Sequence, residues 1–416
     1  MIVGAGSAGL AAAAALRRRG IPALILERGE GVGSSWRLRH EELRLNTTRQ
    51  LSDLPGRRMP RSAGRWATRD DYITYLESYA EGYRFDIRLG VDVTRIERAE
   101  HRRWVVHTSD GDILADHVVV ATGHEHAPWT PDWVGRNTFT PPLLHVAGIR
   151  RASDLAGQRV LLVGAGNSGV EFAEQLVAAH VAELWISVRT PPTILPLKIA
   201  GIPLQPIGVA LRWLPERWRD VAATRVARHA FGDLTKYGLA APRHGPYRRL
   251  RTSGVTAAID RGFVEHLKAG RLQIVSEIDH LRDAVTVLRD GKTLRPDVVV
   301  TATGYRPALE PMVGQLGVLD NDGRPNTGPN GSPTAAPGLW FIGHRPSLDG
   351  SLRQHPAEAR RIAAAISCAP TTRGLLVRER NPVQARPPPP ARDADAGRSP
   401  LGGSGPRTCQ CLRLTS

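Results

Sequence analysis

The chain has 416 residues, 41% of them hydrophobic and 23% charged, enough to bury the cores of two or three domains and to exclude a disulfide-built or low-complexity architecture for most of its length. All three cysteines (Cys368, Cys409, Cys411) lie near the C-terminus, so residues 1–367 carry no redox Cys pair and no zinc cluster, and a reducing compartment is the simplest setting. The net charge of +16 comes almost entirely from arginines spread along the chain, which argues against a nucleic-acid partner and for a solvated basic surface with a mild attraction to anionic surfaces or acidic substrates.

Residues 1–3 are the stub of an apolar strand, followed by a glycine-rich turn and an Ala-rich helix to about residue 19. The apolar run 11–16 is not a signal peptide, because Arg17, Arg18 and Arg19 follow it instead of preceding it. No stretch reaches the length of a membrane-spanning helix, and a cytoplasmic protein is expected. A second short strand covers 23–26. Residues 68–80 have helical spacing, with Tyr72, Tyr75, Leu76 and Tyr79 on one face. Residues 104–108 and 112–121 read as a strand pair leading into Ala121-Thr122-Gly123. The pattern then restarts with a strand over 159–163, a second glycine-rich turn, a helix over 168–179 and a strand over 184–188. Residues 194–257 are less regular and suit either a lid near a substrate or a packed surface excursion. Residues 298–302 repeat the strand ending at Ala302-Thr303-Gly304; a buried strand over 339–342 and a closing helix over 357–366 follow. From about residue 368 Pro, Arg, Gly and Ser dominate, the composition of a disordered and dispensable tail. Two βαβ starts and two late strands that end alike make a duplicated, doubly wound α/β plan.

The first turn, Gly4-Ala5-Gly6-Ser7-Ala8-Gly9, is a GxGxxG between strand and helix. Its glycines serve the tight turn, the approach of a pyrophosphate and close helix–strand packing, in that order, and the phosphates face free N–H groups at the helix start. Glu27 ends the next strand, where a carboxylate can hydrogen-bond a ribose hydroxyl pair. Only three residues precede Gly4, so either the natural start lies upstream or the first strand is short. The second turn, Gly164-Ala165-Gly166-Asn167-Ser168-Gly169, is followed by a strand that ends on Arg189-Thr190 instead of an acid. An arginine there pairs with a 2′-phosphate that a carboxylate would repel. Two dinucleotide sites with opposite end residues imply FAD at the first and NADPH at the second.

With these motifs in place, the chain resembles the class B flavoprotein monooxygenases, the flavin-containing monooxygenases and their YUCCA-type relatives, from residue 1 to about 366. The resemblance rests on both glycine turns, on 31–36 (GVGSSW, with Gly33 and Trp36), on 43–55 (LRLNTTRQLSDLP), on the two Ala-Thr-Gly segments and on 337–343. It implies an FAD domain made of 1–150 and 297–367, with an NADPH domain over 151–296 inserted between them. It places Val93, Thr122, Gly123, Gly304, Tyr305 and Gly343 among the cofactor-binding residues and Asn46 where these enzymes carry an active-site Asn. The family's linker fingerprint fits only in part: Phe139 and His145 match, whereas Pro141, Ile149 and Arg150 depart from it. Trp36 is followed by RLRHEELRLNTT, without the segment typical of Baeyer–Villiger members, which favours heteroatom oxygenation or YUCCA-like chemistry over ketone insertion. His124-Glu125-His126 lacks metal-ligand spacing and reads as loop polarity.

The implied activity is transfer of one oxygen atom from O2 to a soft nitrogen or sulfur of a small molecule, through a C4a-(hydro)peroxyflavin. The alternatives are oxidative decarboxylation of a 2-oxo acid, an uncoupled NADPH oxidase or flavin reductase, and a non-catalytic flavoprotein. The sequence names neither the substrate nor the oligomeric state.

Overall fold

Two five-stranded parallel sheets organise the chain in a computed structural model that describes residues 1–369 apart from 101–102, 329–330 and 334. The tail expected beyond them lies outside the described residues.

In the first sheet the spatial order is Asp86–Leu89, Leu24–Glu27, Ile2–Val3, Val118–Val120, Leu339–Phe341. Short as it is, Ile2–Val3 pairs with both neighbours, Ile2 with Ile25 on one side and Val119 on the other. In the second sheet the order is Gln273–Val275, Glu183–Ser187, Arg159–Val163, Val298–Thr301, Leu143–His145. Every pairing in both sheets is parallel, and the central strands are apolar runs buried on both faces.

The two bodies repeat one plan. Each leads from an outer strand into a three-stranded antiparallel sheet and back to a strand beside its first. In the first body this is Val93–Arg98, Trp104–Thr108 and Gly111–Ala115; in the second it is Ile278–Arg282, Val285–Leu288 and Thr293–Leu294. Both small sheets carry a register shift at the start of their first strand.

This pairing corrects the expected boundaries. The strand Val298–Thr301, assigned above to the late FAD segment, lies beside Arg159–Val163 in the second sheet. Leu143–His145, assigned to the first 150 residues, pairs with it in the same sheet. The expected pair over 104–121 also divides: Trp104–Thr108 and Gly111–Ala115 form the small antiparallel sheet, and Val118–Val120 joins the main one.

The helix Ser7–Arg17 is buried at every residue but Arg17, and its alanines let the closing helix Ser351–Cys368 pack close against it. The helix Arg69–Tyr83 starts at a capping box formed by Thr68 and Asp71, and turns its tyrosines into the same core. The region 194–257 is more regular than its sequence suggests, with helices Leu204–Ala210, Glu216–Phe231 and Pro246–Ser253. Prolines at 203, 215 and 246 stand at the starts of these helices, where a missing N–H costs nothing.

Candidate active site

The two glycine turns fold alike. Gly4 and Gly164 both sit at φ +104°, and a Cβ on either would press on a carbonyl, that of Ala121 at 2.9 Å or of Ala302 at 2.7 Å. A Cβ on Gly9 or Gly169 would meet the carbonyl of the turn's own first glycine at 1.9 or 2.0 Å. In front of Gly6 and Gly166 the space is open. Each turn therefore presents helix N–H groups to an empty approach, which suits a pyrophosphate.

Their surroundings differ. In the first body, Glu27 is buried and its carboxylate accepts the N–H of Ala5 (2.7 Å) and of Gly29 (3.0 Å), so it braces the turn as well as marking the strand end. Ser7 is buried, with its hydroxyl 3.1 Å from His355 Nδ1. Gly33 donates to the Ala5 carbonyl, and Trp36 lies edge-on to Tyr72. Val93 is buried in the small sheet, in one cluster with Val3 and Leu26. Gly343 is held at φ +76°, where a Cβ would strike Ala8. Beside it, His344 is buried with both ring nitrogens unpartnered, and Thr122 Oγ1 is another buried orphan next to the first turn. Open space before Gly6 and Gly123, with unused polar atoms around it, fits a bound FAD. Burial, with His124 nearby, lowers the His344 pKa to about 3, so the ring is neutral.

In the second body, the Asn167 side chain bonds Thr256 and the backbone of Ala257 and Ile259, fixing the helix start to a neighbouring strand. Ser168 and Arg189 line a cavity in front of this turn, and Thr190, next to Arg189 in the chain, is exposed outside it. Arg189 makes no ion pair among the described residues.

The cavity measures about 890 Å3. Of the residues singled out by sequence it collects Asn46, Gly166, Asn167, Ser168, Arg189, Gly304 and Tyr305, drawn from both bodies. The first turn, Glu27, Gly33 and Trp36 do not line it. The Asn46 Oδ1 accepts from Arg261 Nε at 3.3 Å, which leaves the amide N–H groups as donors. Arg261 also reaches the Leu45 carbonyl at 2.7 Å, and its own backbone N–H is held by Glu174.

The linker residues have definite work. His145 Nδ1 accepts from Ala147 N–H, so Nε2 carries the proton and donates it to the Gly304 carbonyl at 3.1 Å. Burial holds its pKa below the ordinary value. Tyr305 packs edge-on against His145, and its hydroxyl accepts from Arg39, which also pairs with Glu125 at 2.7 Å. Phe139 packs in the small apolar cluster behind the second sheet. His124 donates to the Gly343 carbonyl and His126 bonds Arg28, so the His-Glu-His run is taken up in protein contacts.

Sequence reasoning missed Arg39, Gln205, Arg219, Arg261 and His344. Gln205, from the region 194–257, accepts from Thr48 N–H (2.8 Å) and donates to the Asp349 carbonyl (2.9 Å), tying the cavity's roof to both flanks. Arg219 lines the cavity, and its Nε is buried without a partner. No local pattern marks these residues: Arg39, Gln205 and Arg261 find their partners far away in the chain.

A family model described as pyridine nucleotide-disulphide oxidoreductase matches residues 1–191. The indole-3-pyruvate monooxygenase YUCCA1 of Oryza sativa subsp. japonica is 34% identical over 74% of this chain and 76% of its own length. The probable indole-3-pyruvate monooxygenase YUCCA4 of Arabidopsis thaliana is 31% identical over 84% of this chain and 86% of its own. Among solved structures, a flavin-containing monooxygenase from Stenotrophomonas maltophilia aligns with TM-score 0.66 at 24% identity, covering 88% of this chain and 98% of that one. The NADP+ complex of cyclohexanone monooxygenase from Rhodococcus sp. Phi1 aligns with TM-score 0.64 at 21% identity, over 88% and 83%. Among the described residues no helix is long and apolar enough to cross a membrane.

Proposed function

Because this chain belongs to the class B flavoprotein monooxygenases, a flavin-dependent family that uses FAD and NADPH, we propose that it oxidatively decarboxylates a 2-oxo acid with an apolar side chain. The balanced reaction is R–CO–COOH + O2 + NADPH + H+ giving R–COOH + CO2 + NADP+ + H2O. This reverses the order of the sequence expectation, which put a soft nitrogen or sulfur first.

The observation that carries it is Arg219. Arg219 lines the cavity with its guanidinium 4.2 Å from the centre of the Tyr247 ring and makes no ion pair among the described residues, so its charge is left for a ligand group that accepts from it. A substrate carboxylate does so, whereas an amine or sulfide does not. Trp129 and Leu204 in the same cavity offer apolar surface to the rest of the molecule. The names of the relatives, indole-3-pyruvate monooxygenases, point the same way.

In this reading the NADPH body is inserted in the FAD body, with the boundaries moved to match the sheets. The first turn, Thr122 and His344 hold FAD, and Asn167, Ser168 and Arg189 hold NADPH. FAD, when bound, passes the reducing equivalents of NADPH to dioxygen. The protein's part is to seat the substrate carboxylate on Arg219, present the Asn46 amide from a fixed direction, and keep water out by the roof that Gln205 ties down.

The test is NADPH consumption with indole-3-pyruvate, a tertiary amine and a sulfide in parallel, with CO2 and peroxide measured. The expected result is CO2 equimolar with NADPH for the 2-oxo acid alone. Losing a charge-assisted bond costs about 1.5–3 kcal/mol, so Arg219→Gln should raise its KM roughly 10- to 100-fold. Coupled oxygenation of the amine or sulfide, with no turnover of the 2-oxo acid, would overturn the proposal.

A further inference from the structure

The described residues carry thirteen exposed large hydrophobic side chains, and nine of them fall within 202–255. The most exposed of these nine are Trp213 at 81%, Ile202 at 59% and Trp218 at 54%. The same stretch holds nine arginines and one lysine against three carboxylates. A soluble surface seldom gathers tryptophan and aliphatic side chains on one short segment without a use for them.

The helix Glu216–Phe231 shows how the segment is divided. Its inner face, with Ala222, Ala223 and Val226, lines the cavity. Its outer face carries Trp218, Val221, Arg225 and Arg228 at helical spacing, all exposed. The Arg217 guanidinium stands 5.7 Å from the Trp218 ring centre, and that of Arg212 stands 4.6 Å from the Trp213 ring centre. Apolar side chains interleaved with arginines, and two tryptophans at the surface, make the arrangement of an element that lies in the plane of a lipid headgroup layer.

We propose that this face docks on an anionic lipid surface, with the roof of the cavity against the bilayer. Charge selects the occupant. A second copy meeting this face with its own would set arginine against arginine. The chain's tail, residues 370–416, has eight arginines against three carboxylates, a composition that offers the arginines of this face no charge complement. A nucleic acid would satisfy the arginines and leave Ile202, Trp213 and Val221 without an apolar partner. An anionic bilayer satisfies both sets. The inference does not depend on which substrate the cavity takes, although Ile207 and Leu211, each partly exposed and each lining the cavity, place its rim at this face.

The experiment is sedimentation of the full chain with vesicles of phosphatidylcholine alone or mixed with phosphatidylglycerol, at two salt concentrations. Binding should appear with the anionic vesicles only and weaken as salt rises. R217Q/R225Q should lower the partition coefficient roughly fivefold per arginine removed. W213S/W218S should lower it by roughly tenfold or more. Both variants should keep the parent's melting temperature and its NADPH oxidation without vesicles, which separates lost docking from lost folding. Absence of binding to anionic vesicles overturns the proposal. So does binding that both variants retain, which would assign it to the arginine-rich tail or another face, and so does binding to duplex DNA without binding to vesicles.

Discussion

The two parallel sheets differ in one connection, and that connection sets their roles. Each places its first strand at the centre, with the second and third strands to one side and the strand after the small antiparallel sheet to the other. The outermost position is filled late in the first body, by Leu339–Phe341, and early in the second, by Leu143–His145. The first body is therefore closed by the end of the described chain, and the buried helix Ser7–Arg17 that follows its glycine turn is packed against the closing helix Ser351–Cys368. The second is complete within 143–301 and leaves its turn beside an open cavity. The same motif starts a helix buried along nearly its whole length in one body and a helix that borders the cavity in the other.

The largest effect expected from this difference is at the third glycine of each turn. Gly9→Ala and Gly169→Ala meet nearly the same carbonyl clash, and overpacking of this kind costs about 1–3 kcal/mol. In the first body the clash lies inside the main core, so Gly9→Ala should abolish FAD retention and most of the folded yield. Gly169→Ala should keep bound FAD, measured by its absorbance, and lose reduction by NADPH. Equal loss of FAD in both variants would erase the distinction.

Acid should also strike the first body harder. Burial lowers the pKa of His355 to about 4 and of His344 to about 3, from an ordinary value of 6.5. Below pH 6.5 the unfolded chain binds protons that the folded chain refuses, so stability is complete above that pH and falls as pH drops towards 4. The loss per histidine by pH 4 is on the order of 3 kcal/mol. Calorimetry from pH 7 to 4.5 should show a falling melting temperature with early loss of FAD, and His355→Asn should flatten the slope. A flat profile in the parent would contradict neutral burial.

At the second turn, Arg189→Ala should cut the preference for NADPH over NADH roughly 10- to 100-fold, the worth of a charge-assisted pair at about 1.5–3 kcal/mol. An unchanged ratio of kcat/KM values would make Arg189 a surface residue. The smallest effect is expected at Asn46, between the bodies. Asn46→Ala should leave anaerobic flavin reduction near the parent rate and lower product formed per NADPH by about fivefold, the value of one hydrogen bond of about 1 kcal/mol. Full coupling in that variant would remove Asn46 from the chemistry.

Much of this was legible in the chain because it is local. Each glycine turn announces its strand and helix, and the Thr68–Asp71 capping box starts its helix at the expected place. The sheet to which 298–301 belongs was not legible. Ala121-Thr122-Gly123 and Ala302-Thr303-Gly304 end their strands in the same letters, and only pairing with Arg159–Val163 separates them. Contacts such as Arg39 with Tyr305, Gln205 with Thr48 and Arg261 with Asn46 join residues more than 150 positions apart, where no periodicity carries information. The roof helices were hidden for another reason. The stretch 213–231 reads as amphipathic, but the prolines around it and the exposed Trp218 and Val221 on the outer face of Glu216–Phe231 hide where each helix begins and which side is covered.

Arg261 bears on how such an enzyme can be rebuilt. Its backbone is fastened by Glu174 in the second body, while its guanidinium ends on Leu45 and Asn46 of the first. The two bodies are thus not interchangeable cassettes. A chimera that takes 143–304 from a relative keeps both glycine turns, yet it inherits a foreign reach at position 261. Such hybrids should bind both dinucleotides and waste NADPH, unless 44–46 travels with the graft. Recombination should therefore tolerate crossovers beside the turns far better than it tolerates parting Arg261 from the loop it holds.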